Sequence, residues 1–215
     1  MDFHKHKFFF LIFNYNFIMI KKVFLVLLVA VLTASYAHAQ FTFGARAGLN
    51  LTLLTGDEDA STGIKPGFQV GVVGDYAVSD AFSIQPGILF ATMGGRESEG
   101  DLTATLNFNY IQVPVNFQFK RNAFFWHVGP YIGFGLGGKA TVDVGGLSVS
   151  DDIKFGSDED FKAFDFGFGA GIGWQFGNFQ AGLGTNLGLV NISNVDDFTM
   201  RNMGIAITLT YMFGR

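Results

Sequence analysis

Over most of its length this chain alternates large apolar residues with small or polar ones. Between Ala163 and Phe176 the alternation is unbroken: Phe164, Phe166, Phe168, Ala170, Ile172, Trp174 and Phe176 stand against Asp165, Gly167, Gly169, Gly171, Gly173 and Gln175. A period of two belongs to a strand whose successive side chains point to opposite faces of a sheet. A sheet face turned to bulk water carries Lys, Glu and Thr, which this glycine face lacks. The lumen of a small closed barrel has no room for a face of Phe and Trp. The apolar face is therefore predicted to look outward into hydrocarbon and the small face inward, the pattern of a transmembrane β-barrel.

Seven other segments read the same way, over 41–52, 68–78, 82–91, 106–119, 124–136, 179–189 and 203–213. With 164–176 they predict an all-β fold, a single antiparallel up-and-down barrel of about eight strands. Short turns at Ser79-Asp80, Lys120-Arg121-Asn122 and Gly177-Asn178 alternate with long polar connections over 53–66, 94–101, 139–162 and 193–199. Outer-membrane barrels have such short periplasmic turns and longer external loops. Within the longest connection, Thr141 to Ser150 alternates around Gly145-Gly146 and predicts a hairpin that extends the barrel above the membrane. The fourth segment shows two phases: Leu106 and Phe108 are even, while Ile111, Val113, Val115, Phe117 and Phe119 are odd. A bulge near Asn109 or Tyr110 is expected to reconcile them. Pro86 and Pro114 each remove a ladder donor from a strand interior.

Ahead of the barrel, Met19 to Ala39 reads as a secretory signal: Lys21-Lys22, an apolar core from Val23 to Leu32, and Ala37-His38-Ala39 as the cleavage site. Residues 1–18 are expected to be a mis-called N-terminal extension, leaving 40–215 as one barrel domain. Composition agrees with a lipid-facing protein, since charged residues are 15% and hydrophobic ones 49%, against about a quarter charged in an average soluble domain. There is no Cys, which excludes disulfides, thiolate metal sites and a thiol nucleophile.

Beyond residue 39 the chain keeps 18 − 1 = 17 acidic and 14 − 4 = 10 basic residues. Most of the acids fall in the expected loops: Asp57, Glu58, Asp59; Glu97, Glu99, Asp101; Asp143, Asp151, Asp152, Asp158, Glu159, Asp160; Asp196 and Asp197. Lys65, Arg96, Lys139, Lys154 and Lys162 join them there. Asp158, Glu159 and Asp160 are candidate ligands for a weakly held cation, and the whole rim would attract divalent cations or a basic partner through its field. Arg46, Asp75, His127 and Asp165 are predicted to face the lumen, with Arg201 beside them, and pairing among them is expected because isolated charges there are costly. His127 is the one His after the leader. No Ser or Asp at a recognisable position accompanies it as nucleophile and orienting acid. No cofactor is expected, and Gly167, Gly169, Gly171 and Gly173 lie inside a strand with the wrong spacing for a nucleotide loop.

Several segments resemble one family. Ser83-Ile84-Gln85-Pro86-Gly87-Ile88-Leu89-Phe90, Asn109-Tyr110-Ile111-Gln112-Val113-Pro114-Val115 and Gly129-Pro130-Tyr131-Ile132-Gly133, with Asp165-Phe166-Gly167 and Leu187-Gly188-Leu189-Val190-Asn191-Ile192, are similar to motifs of the Bacteroidetes outer-membrane β-barrel proteins that include the PorT-type barrels. The resemblance covers essentially the whole chain after the leader and accommodates both prolines. The ending departs from the family pattern, because Phe213 is followed by Gly214-Arg215. The resemblance implies the outer membrane as location and its lipid, lipopolysaccharide and barrel assembly machinery as partners. It implies no chemistry. The expected function is non-enzymatic, in envelope integrity, adhesion or as an accessory to secretion, with an unknown extracellular or periplasmic protein partner and no nucleic acid. The alternative is a lipid-modifying barrel enzyme using His127.

Overall fold

The computed structural model describes residues 41–56, 61–157, 159–195 and 198–214; the leader and the segment before it lie outside them. Nine antiparallel strands follow one another: β1 (Phe41–Thr55), β2 (Lys65–Ser79), β3 (Phe82–Glu99), β4 (Leu102–Arg121), β5 (Phe124–Val144), β6 (Leu147–Ile153), β7 (Phe164–Phe176), β8 (Phe179–Gly188) and β9 (Arg201–Phe213). Each pairs with its neighbour, β4 with β5, β5 with β7, and β9 with β1, so eight strands close a ring and β6 hangs on the upper half of β5. Closure leaves no sheet edge within the hydrocarbon, where unpaired backbone groups cannot be tolerated.

The side-chain alternation sorts two faces. Outward lie Leu49, Val72, Ile88, Trp126, Phe168, Ile172, Leu183 and Ile207, all exposed. Thr185 shares that face, and its hydroxyl donates to the Gly204 carbonyl at 3.0 Å, so it brings no unpaired group to lipid. At the end bearing the short turns, outward rings touch in sequence: Phe82 with Phe119, Phe119 stacked on Trp126 at 4.1 Å, Phe124 with Trp174, Phe176 with Phe179, and Phe179 with Tyr211. Such an aromatic girdle marks the membrane interface of an outer-membrane barrel. Each turn at this end has two residues between the strands, and Asn122 takes φ 57°. Asn tolerates this left-handed conformation better than residues without a short polar side chain. Asn122→Ala should therefore lower stability by roughly 1–2 kcal/mol in a urea unfolding titration, while Asn122→Gly should not.

Three expectations are corrected. The strands run further than predicted: β3 reaches Glu99 and β5 reaches Val144, with Gly145-Gly146 turning into β6. Glu97, Glu99, Lys139, Asp143, Asp151 and Asp152 thus sit on strands, and Lys65 is a buried residue opening β2. The register does shift at Asn109/Tyr110, but the extra residue is Leu136 on the facing strand. β4 keeps one phase throughout, so Phe108 points inward with Tyr110, Gln112 and Gln118, all buried. Arg201 is in step with the outward residues Ile205 and Ile207, not with the lumen.

Candidate functional site

The lumen is packed with side chains in tiers. At the external end Phe108, Tyr110, Leu54, Met93, Ile153 and Ile192 form an apolar cluster, with Phe155 and Phe161 against it. Phe108 is 0% exposed, and its ring meets those of Phe161 at 4.8 Å and Phe155 at 5.6 Å. Three of these side chains, Phe155, Phe161 and Ile192, come from the two connections that fold back over the mouth, the first between β6 and β7 and the second between β8 and β9. Lys162 N–H donates to the Ile192 carbonyl and Ile192 N–H to that of Met200, both at 2.8 Å. Asn191 organises the second connection, its Oδ1 accepting from the N–H groups of Ser193 and Met200, each at 2.9 Å. Asn194 ties it to the first by donating from Nδ2 to the carbonyls of Gly156 and Glu159. In the sequence Asn191 stands near the end of a family-like motif, and nothing in a linear pattern reveals that its one amide gathers two backbone donors 200 − 193 = 7 residues apart.

Beneath this plug sits Asp165, fully buried. Its Oδ2 accepts from Tyr131 Oη at 3.3 Å and from Asn202 Nδ2 at 3.0 Å, so one carboxylate links β7 to β5 and β9. At the opposite end Asp75, also buried, accepts from Ser83 Oγ at 2.7 Å, and its Oδ2 is paired with Lys120 Nζ at 2.8 Å. Lys120, expected in a turn, instead lies at the end of β4, and its long stem carries the ammonium back to Asp75. Arg46 donates from Nε to Thr210 Oγ1 at 2.8 Å and from Nη2 to Gln85 Oε1. Gln85 in turn donates to Gln180 Oε1 at 3.2 Å.

The four residues expected in the lumen thus face it, but they are not paired with one another: the ion pair joins Asp75 to Lys120. His127 lies against β7, where the ring comes so close that a Cβ on Gly171 would stand 2.5 Å from Nε2. Its Nδ1 is buried and makes no hydrogen bond among the described residues.

Above the membrane the two faces exchange character. On β3 to β6 the outward positions become polar, with Ser98 bonded to Thr103 at 3.1 Å, Thr141 to Ser150 at 2.9 Å, and Ser148 donating to Asp143. The inward positions of the same raised sheet include Leu102, Val142, Val144, Leu147 and Val149, joined by the pairs Leu102↔Val144, Val144↔Leu147 and Val142↔Val149, with Glu97, Glu99 and Asp151 at its margins on the same face. Nothing among the described residues covers them, and Leu147 is 79% and Val149 73% exposed. β6 pairs on one side only, with β5. Of the candidate cation ligands, Glu159 and Asp160 are exposed at this end and Asp158 lies outside the described residues, as do Asp57, Glu58, Asp59, Asp196 and Asp197. Among the described residues no three His, Cys, Asp or Glu converge to hold a metal ion.

A closed ring of eight strands with an apolar exterior, an aromatic girdle and a filled polar lumen defines an integral β-barrel of the outer-membrane type. A family model for the outer membrane protein beta-barrel domain matches residues 34–194, most of the chain. The chain belongs to that family and resides in the bacterial outer membrane. Among solved structures it is similar to Ail, the attachment invasion locus protein of Yersinia pestis (16% identity, 81% of this chain and 99% of that one, TM-score 0.49). It is also similar to Neisserial surface protein A (14%, 80% and 97%, TM-score 0.46) and the N-terminal barrel of Pseudomonas aeruginosa OprF (10%, 78% and 97%, TM-score 0.32). No curated protein sequence matches the chain.

Proposed function

We propose that this barrel is a non-enzymatic adhesion protein whose working surface is the raised sheet β3–β6. One observation carries the reading: that sheet holds its apolar face, with Leu147 and Val149 largely exposed, above the hydrocarbon and beside an unpaired strand edge. A soluble surface does not keep such a face bare without a use for it. An unpaired edge accepts an extended polypeptide as a further strand, main-chain bonds supplying affinity and alternate side chains the selectivity. Glu97, Glu99, Asp101, Asp143, Asp151 and Asp152 around it favour a partner with basic residues and steer its approach. The rim acids, Glu159 and Asp160 among them, would also recruit divalent cations and through them lipopolysaccharide. The barrel assembly machinery inserts the chain, and the quoted motifs support a place in the Bacteroidetes branch of the family.

Leu147→Asp together with Val149→Asp should abolish adherence of cells displaying the barrel to immobilised extracellular protein, while heat-modifiable gel migration stays unchanged. Adherence equal to the parent's would end this reading. The lipid-modifying alternative has less support, since among the described residues His127 Nδ1 has no carboxylate partner and no serine lines the cavity with it. His127→Ala with an altered lipid A mass spectrum would favour it instead.

A further inference from the structure

We infer that the barrel lumen binds one small inorganic anion, of the size and charge of chloride, at Arg46. A cavity of about 60 Å³ in the lumen is lined by Arg46, Gln69, Leu89, Gln112, Asn116 and His127 among others. At about 10–15 Å³ per water-sized site, it admits roughly four to six waters, or a chloride with a partial shell of them. Arg46 is the one residue with a permanent charge in its lining, which contains no Asp or Glu. The two lumen carboxylates are committed elsewhere, Asp75 to Lys120 and Ser83, Asp165 to Tyr131 and Asn202.

A guanidinium has five N–H donors. Two of them go to Thr210 and Gln85, leaving 5 − 2 = 3 without an acceptor among the described residues. A permanently charged group enclosed by a ring of hydrocarbon-facing strands needs a counter-charge; Asp75 acts on Arg46 through its field, but among the described residues no carboxylate hydrogen-bonds to the guanidinium. The rest of the lining suits an anion: the amides of Gln69 and Asn116 can donate, as can the second N–H of Gln112, whose first goes to Met93 Sδ. His127 Nδ1, buried and without a partner, adds one more potential donor in the tautomer that protonates it. A monovalent ion answers the single guanidinium, whereas a phosphate would bring excess charge into the same space.

The test uses the whole barrel refolded into detergent at fixed ionic strength with sodium bromide, sodium chloride or sodium gluconate, the last anion being too large for the cavity. The anion is present throughout refolding, so that entry into the folded barrel does not limit occupancy. Crystals grown in bromide should show anomalous density in the cavity within hydrogen-bond range of Arg46. The urea midpoint should be higher in either halide than in gluconate. Arg46→Gln should remove both the density and the halide dependence, and Arg46→Lys, which keeps the charge, should retain the density. Should Arg46→Gln fail to refold, the bromide density and the halide dependence of the parent decide alone. Anomalous density absent from the cavity, or equal midpoints in halide and gluconate, would show a cavity holding water only, and density that survives Arg46→Gln would show an anion held without Arg46; each overturns the assignment.

Discussion

Phe168→Arg should cost about 2–4 kcal/mol of barrel stability, the penalty for a cation near the bilayer midplane on the lipid face, in a refolding titration into lipid vesicles. Phe168 lies on β7 between Pro130 of β5 and Leu187 of β8 in the register, with its ring turned outward and 47% exposed against Phe166. The exposure is to hydrocarbon, so an arginine there must snorkel past Phe166 or Trp174 to reach a headgroup. Two controls separate this cause from others. Gly169→Arg, one residue on, would place its Cβ 2.6 Å from Asn186 Oδ1 and fail by collision inside the lumen. Leu147→Arg, at a position more exposed than Phe168 but above the membrane, should stay within about 0.5 kcal/mol of the parent, as surface substitutions in water do. A neutral Phe168→Arg would mean that the outward face had been assigned to the wrong side.

Phe108→Ala should cost about 3–5 kcal/mol, the range for removing a buried aromatic ring when its surroundings cannot collapse into the space. The ring has Tyr110, Phe155 and Phe161 around it. Phe155 and Phe161 reach it from the connection between β6 and β7, which is held to the 189–200 connection by backbone bonds. Losing the ring should therefore loosen the external cap as well as the core. Limited proteolysis of the folded barrel should cut within 154–163 faster in the variant. Were Phe108 instead on the lipid face, as a phase change along the strand requires, truncation would leave acyl chains to fill the gap, the loss would be small, and the cap would stay intact.

A period of two with glycine opposite Phe and Trp was enough to determine barrel, membrane and inward face, because hydrocarbon outside and a narrow lumen inside each admit one kind of side chain. Phe164 to Phe176 could hardly be read otherwise. The same residues also placed Arg46, Asp75, His127 and Asp165 in the lumen by parity alone. What pairs with what was decided by the closed ring: Lys120 reaches Asp75 from the end of β4, and Asn202 and Tyr131 meet Asp165 from strands 37 and 34 residues away. Parity also misled where the solvent changes. Beyond the girdle and the apolar band, hydrocarbon gives way to water outside and the lumen fills with rings, so Phe108 is an inward residue that looks outward by its chemistry. Leu102, Val144 and Leu147 follow the same inward parity past the end of the core, where no opposite wall remains to bury them. Hydrophobicity reports which side chains avoid water; only the height of each residue along the closed barrel determines whether lipid, a packed plug or a partner does the covering.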